Sequence, residues 1–384
     1  MRSLFFILAA LLAVGLVINY NTKYSTQVFV IRTIFNAVLL RNKYLGMSIG
    51  NPQSTMMGIT TPDWKEVSLE AQTFYNFVRF NAGRKLESDV AMREGMISLA
   101  PPVSYHNSLS FQSIPEIRNS MFVHLRDRFY LDQYFGKDKR GKVLFLIHGG
   151  GGFAGKPGGL ELGSIVEHMQ TRFNSSLTHI LSVGYRLMAL TEEEKHKKNE
   201  FATKLSEQTD DVIQAYQWLL KKFNAEDIVL VGSSFGASLS AEFLRRAAVE
   251  NLPMPKAAVL VGGPYDLTLK LGTSSMNARN TLMSTDRMIS IMQRLFKEEE
   301  SPLVTWKNVN KRIHETNLLI IYSKDEEVTK DNEAFIQILK DIKHPSVQVI
   351  ADNMMIHCHP FFEYYFPEAK QAMSKMLDFV DSQK

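Results

Sequence analysis

The sequence predicts an α/β fold, a mostly parallel central sheet flanked by helices, on three observations. Short runs rich in Val, Ile and Leu recur at 143–147, 179–183, 228–231, 257–261, 318–322 and 347–351. Helix-periodic stretches fall between most of them, and strands alternating with helices pack as a parallel sheet covered on both faces. Each run empties into a loop of glycine or polar residues, and in such sheets ligands sit beyond the carboxyl ends of the strands.

The 384 residues suffice for one large α/β domain with an accessory segment. Apolar content of 45% with 22% charged residues describes a globular chain. The net charge of +4 is small, and no basic stripe carries interleaved aromatics, so nucleic acid is not an expected partner. The single cysteine, Cys358, excludes an intrachain disulfide framework. Neither a cofactor nor a protein partner is implied.

Taken in order, Met1-Arg2-Ser3 precedes an apolar run from Leu4 to Ile18. A basic start and such a run fit a signal peptide or a membrane anchor. Small-x-small cleavage chemistry is missing after Ile18, which favours an uncleaved anchor over 1–22, in contact with membrane lipid. Val28–Leu40 is a second apolar stretch, broken by Arg32 and Asn36. It fits either an amphipathic helix in the headgroup layer or a packed core helix. Residues 23–110 read as a lead-in or cap with one amphipathic helix over 64–80, and 111–384 as the main domain. That domain opens with an antiparallel pair around 121–134 and a charged turn at 136–141. Helices are expected over 163–173, 206–223, 237–248, 332–339 and 367–380, and a Met- and Ser-rich cap insertion over 268–310. Asn174-Ser175-Ser176 is a glycosylation sequon, which points weakly to a lumenal domain.

The chemistry centres on Ile228-Val229-Leu230-Val231-Gly232-Ser233-Ser234-Phe235-Gly236. A strand running into Gly-x-Ser-x-Gly with a helix behind it places the serine on a tight, strained turn, with Ser234 Oγ standing out at the sheet edge. A serine needs a base to take its proton and a third group to orient that base. In this layout the order is serine, acid, histidine. The strand at 318–322 leads to Asp325-Glu326-Glu327, where Asp325 is the first choice of acid and Glu327 the second. The strand at 347–351 leads to His357-Cys358-His359, with His357 preferred to His359 as base. Gly149 to Gly152, after the strand at 143–147, offers unobstructed backbone N–H groups for a developing oxyanion, and the N–H of Phe235 adds another. A phosphate cradle is the competing reading of that glycine run, but no Gly-Lys-Ser/Thr follows it. His357-Cys358-His359 lacks the companion ligands of a metal motif, so no metal is expected, and Cys358 has no elbow of its own to make it a nucleophile.

On these residues the chain, over about 140–380, resembles the hormone-sensitive-lipase-like branch of the α/β-hydrolases, which includes arylacetamide deacetylases and fungal steryl acetyl hydrolases. His148-Gly149-Gly150-Gly151 is similar to that branch's oxyanion motif. Tyr185-Arg186-Leu187, Asp210-Asp211 with Trp218-Leu219, and Met355-Ile356-His357 are similar to further segments of it. The resemblance implies the α/β-hydrolase fold, with Ser234 as nucleophile, His357 as base, and Gly150 and Gly151 as oxyanion donors. It also implies a carboxylester hydrolase anchored in the endoplasmic reticulum membrane with its catalytic domain in the lumen. A site near a bilayer, with the Met- and Ser-rich segment at 268–310 over it, suggests a lipophilic small-molecule ester as substrate. The elbow departs from the usual Gly-Asp-Ser-Ala-Gly, and Gly152 is an extra glycine. Phe235 is expected to narrow or reshape the acyl pocket. The acid loop lacks its usual glycine, leaving Asp325, Glu326 and Glu327 all open.

Overall fold

The computed structural model describes residues 26–45, 67–82, 88–99, 109–126, 141–273 and 285–383. Ten strands lie among them: β1 Ser110–Ile114, β2 Ser120–His124, β3 Lys142–Ile147, β4 Leu177–Val183, β5 Leu187–Met188, β6 Phe201–Ala202, β7 Ile228–Ser233, β8 Ala257–Val261, β9 Asn317–Ser323 and β10 Val347–Asp352. Eight form one sheet in the order β1-β2-β4-β3-β7-β8-β9-β10, and β5 pairs with β6. From β4 to β10 every pairing is parallel; β1 with β2 and β2 with β4 are antiparallel. The early antiparallel pair therefore precedes its expected place, because β2 ends at His124 and finds its partner upstream in β1.

Side-chain alternation divides the central strands between two cores. Val143, Phe145 and Ile147 of β3, with Ile228 and Leu230 of β7, face one side, where the helices Leu205–Leu220 and Phe235–Val249 contribute Val212, Tyr216, Leu239 and Phe243. Leu144 and Leu146, with Val229 and Val231, face the other, under Leu162 and Ile165 of helix Leu160–Thr171 and Met373 and Leu377 of helix Pro367–Ser382. Strands buried on both faces read as unbroken apolar runs, which is why they were legible. β3 sends its chain to one face and β7 to the other, so a crevice opens between their carboxyl ends.

A third cluster joins the lead-in to this body. Phe35 of helix Thr26–Leu45 packs edge-on to Tyr365, Phe74 of helix Leu69–Ala82 stacks on Tyr365, and Met355 and Ile356 complete the group. Arg32 pairs with Glu167 and lies 3.6 Å from the centroid of the Tyr364 ring. The second apolar stretch is thus a packed helix on its Phe35 side, while Ile34 and Leu40 remain exposed. Among the described residues no helix is long and apolar enough to cross a membrane. The run from Leu4 to Ile18 and the proposed anchor 1–22 lie outside the described residues. Of the expected cap, 274–284 lies outside them too, and helix Thr285–Leu295 follows.

Candidate active site

Ser234 sits between β7 and helix Phe235–Val249 at φ 53° and ψ −125°, a strained positive-φ conformation that costs a non-glycine residue of order 1–3 kcal/mol. The flanking glycines make the turn possible by close approach: a Cβ on Gly236 would meet the carbonyl oxygen of Ile147 at 2.2 Å, and one on Gly232 that of Gly236 at 2.4 Å. The Ser234 N–H donates to Val261 O at 2.7 Å, which ties the elbow to β8.

Three side chains meet there. His357 Nε2 lies 2.8 Å from Ser234 Oγ, and His357 Nδ1 lies 2.5 Å from Glu326 Oε2. The other oxygen, Glu326 Oε1, accepts the Ser323 N–H at 2.8 Å, so the carboxylate is fixed at both ends and buried. The acid at the imidazole is therefore Glu326, not Asp325 or Glu327. Asp325 Oδ2 instead accepts the Met354 N–H at 2.7 Å, bracing the loop that carries His357, and Glu327 is half-buried in the same turn. The reason is local: the turn after β9 folds back on itself, with Thr329 Oγ1 donating to the Ser323 and Glu326 carbonyls at 2.9 and 2.7 Å. That return aims position 326 inward. The Ser323/Glu326/Thr329 spacing was the available signal.

His359 is not in this group. Its Nε2 lies 2.8 Å from Asp352 Oδ2. His357 and His359 thus serve different partners, and among the described residues no three metal-ligating side chains converge. Cys358 is buried beneath, its sulfur 3.5 Å from Ser233 Oγ. Burial of the His357 ring disfavours the imidazolium, but the neighbouring Cys358 and Glu326 outweigh it and hold the pKa well above the ordinary 6.5.

The glycine run lies against the serine: a Cβ on Gly149 would sit 3.0 Å from Ser234 Cβ. Gly150, Gly151 and Gly152 all have positive φ (110°, 62° and 78°). Among the described residues none accepts a hydrogen bond from the N–H of Gly150, Gly151 or Phe235. Each donor's direction is set by the carbonyl that shares its peptide plane. Gly149 O is 2.8 Å from His148 Nδ1, which fixes the plane of the Gly150 N–H. Gly150 O accepts the Ala154 N–H at 2.9 Å, which fixes that of Gly151. Burial drives the His148 pKa down against the opposing pull of Glu161, and Tyr185 stacks on the ring at 4.3 Å. Sequence reading missed Glu161, whose Oε1 accepts the Gly149 N–H at 2.9 Å, and Gln208, whose Nε2 donates to Gly152 O at 2.8 Å.

The remaining departures fit together. Phe235 is fully buried with its ring 5.2 Å from that of Phe296. A Cβ on Gly152 would meet Phe235 Cζ at 2.7 Å, so the extra glycine makes room for the unusual elbow residue. Arg186 and Arg118 share the buried carboxylate of Asp211: Oδ2 accepts from Arg186 N and Nε at 2.8 and 2.9 Å, and Oδ1 accepts from Arg118 Nε at 2.7 Å.

Solved structures of similar fold include an esterase/lipase from an uncultured bacterium, with 20% identity, a TM-score of 0.61, and coverage of 82% of this chain and 98% of that one. A hormone-sensitive lipase from a metagenome library matches with 18% identity, a TM-score of 0.63, and coverage of 82% and 99%. An esterase of the bacterial hormone-sensitive lipase family matches with 18% identity, a TM-score of 0.63, and coverage of 82% and 98%. No curated protein matches in sequence. Over residues 144–361, more than half its length, the chain matches the α/β-hydrolase fold family, and it belongs to that family.

Proposed function

We propose that the chain is a serine carboxylester hydrolase of the hormone-sensitive-lipase-like branch. The observation that carries the proposal is the continuous contact from Ser234 Oγ through His357 to Glu326, beside free N–H groups of Gly150, Gly151 and Phe235. Ser234 Oγ attacks the ester carbonyl while His357 Nε2 takes its proton, and Glu326 stabilises the imidazolium that forms. The three N–H groups receive the oxyanion. His357 then protonates the leaving alkoxide. A water that gives its proton to His357 attacks the acyl-enzyme, and Ser234 departs with that proton.

A lipophilic ester, such as a sterol or xenobiotic acetate, suits the wall above the glycine run. Met288 and Phe296 are buried there: Met288 Sδ lies 3.3 Å from where a Gly151 Cβ would stand, and Phe296 Cζ 2.8 Å from where a Gly152 Cβ would. Methionine walls adapt to varied apolar shapes. The apolar run at 4–18 fits a membrane anchor, and the resemblance to membrane-anchored deacetylases supports its placement in the endoplasmic reticulum with the domain in the lumen. On that reading the exposed Asn174 carries a glycan. A glycosidase-sensitive mass shift abolished in Asn174→Gln tests it, and an unshifted chain counts against the lumenal placement.

Fluorophosphonate labelling, with hydrolysis of acetyl esters of graded lipophilicity, tests the activity in wild type, Ser234→Ala and His357→Ala. Loss of both signals in Ser234→Ala is expected. A folded wild type that neither labels nor hydrolyses any ester would indicate a ligand-binding protein instead, and preference for small, soluble esters would remove the lipophilic substrate.

A further inference from the structure

We propose that Arg93, on the lead-in helix and outside the region matched to the family, is a positioning residue for the oxyanion donor Gly151; the inference rests on the hydrolase reading above. Arg93 lies on helix Asp89–Leu99 and is 6% exposed. Met92, buried in the main core, with Met96 and Ile97 packed against it, seats that helix beside the glycine run. The guanidinium reaches three groups. Nε donates to Phe153 O at 2.7 Å, Nη2 to Met188 O at 2.7 Å, and Nη1 to Glu194 Oε1 at 2.7 Å.

The first of these contacts leads to the donor through two peptide planes. Phe153 C=O and Ala154 N–H share one rigid plane. Ala154 N–H donates to Gly150 O at 2.9 Å, and Gly150 C=O shares the next plane with the Gly151 N–H. Arg93 thus fixes the first plane, and the first plane fixes the second. The second contact secures the same loop from its far side, because the Met188 N–H donates to Gly152 O at 2.8 Å. Three consecutive glycines at positive φ place few steric limits on their own peptide planes, so external hydrogen bonds must supply the orientation. A buried guanidinium with fixed fork geometry suits this role, and Glu194 balances its charge. On this account residues 23–110 are more than a cover: one of their side chains orients the donors.

The test uses the full chain with Arg93→Ala and Arg93→Lys. It measures kcat per site titrated with a fluorophosphonate, KM, and inhibition by a trifluoromethyl ketone, which forms an oxyanion adduct on the serine. Arg93→Ala is expected to lower kcat per titrated site about 10- to 100-fold, less than the roughly 10²–10³ for deleting a donor. Ketone affinity should fall by a similar factor while KM moves less than about twofold. Arg93→Lys, which keeps a single donor centre, should recover part of the loss. Normal kcat per titrated site with a reduced titre would make Arg93 a folding strut and overturn the proposal. So would a change confined to KM. A wild type with neither labelling nor turnover would overturn the hydrolase reading, and this inference with it.

Discussion

Replacing Glu326 by glutamine separates the three acids of the 325–327 turn. Glu326 Oε1 holds the Ser323 N–H and Oε2 faces His357 Nδ1. A glutamine must keep its carbonyl oxygen on the Ser323 N–H, where only an acceptor fits, which turns its NH₂ towards His357. The imidazole then presents the Nδ1 lone pair to that donor and carries its proton on Nε2. In that tautomer Nε2 cannot take the proton of Ser234. A change of this kind, which keeps the shape and reverses the tautomer, costs about 10⁴ in kcat, or about 5 kcal/mol of barrier. Asp325→Asn keeps an oxygen for the Met354 N–H, and Glu327→Gln leaves the imidazole contact intact, so each should stay within about threefold of wild type, under ~1 kcal/mol of barrier. The assay is steady-state ester hydrolysis on variants matched by circular dichroism. An Asp325→Asn variant as impaired as Glu326→Gln, or a Glu326→Gln variant retaining a tenth of wild-type kcat, would refute the assignment.

Three further outcomes follow from the same geometry. The base must be neutral to act, and the His357 pKa is raised, so kcat/KM should climb with pH and reach half its plateau above 6.5; a midpoint below that value would contradict the Glu326 contact. Gly152→Ala puts a Cβ against Phe235 and Phe296 at a φ of +78°. It should lower stability by about 1–3 kcal/mol in chemical denaturation and depress kcat, and a neutral result would mean the two rings move aside freely. Asp211→Ala leaves Arg186 and Arg118 without their shared carboxylate. Because both guanidinium groups reach solvent, the cost should lie near the lower end of the range for a broken buried pair, about 3 kcal/mol, read from the denaturation midpoint.

Much of the molecule was legible because its determinants are local. β3, β7, β8 and β9 are buried on both faces, so each appears as an apolar run with a sharp end. The elbow was legible for a related reason: the backbone at Ser234 demands glycines on either side, and that demand is written within five residues. The stretch at 28–40 was legible as a helix, but the choice between packing in the core and lying on a membrane was not, since its partners Phe74 and Tyr365 lie far along the chain.

Sequence alone placed the serine, the acid loop and the histidine in that order along the chain, each after a strand, with the glycine run before them, through periodicity and backbone constraint. Tertiary structure alone decided which acid meets the histidine, because Asp325, Glu326 and Glu327 differ only in the direction a folded turn gives them. It alone decided what orients the glycines. A run without side chains encodes freedom and not a direction, and the direction comes from Arg93, Glu161, Met188 and Gln208, which only folding brings together.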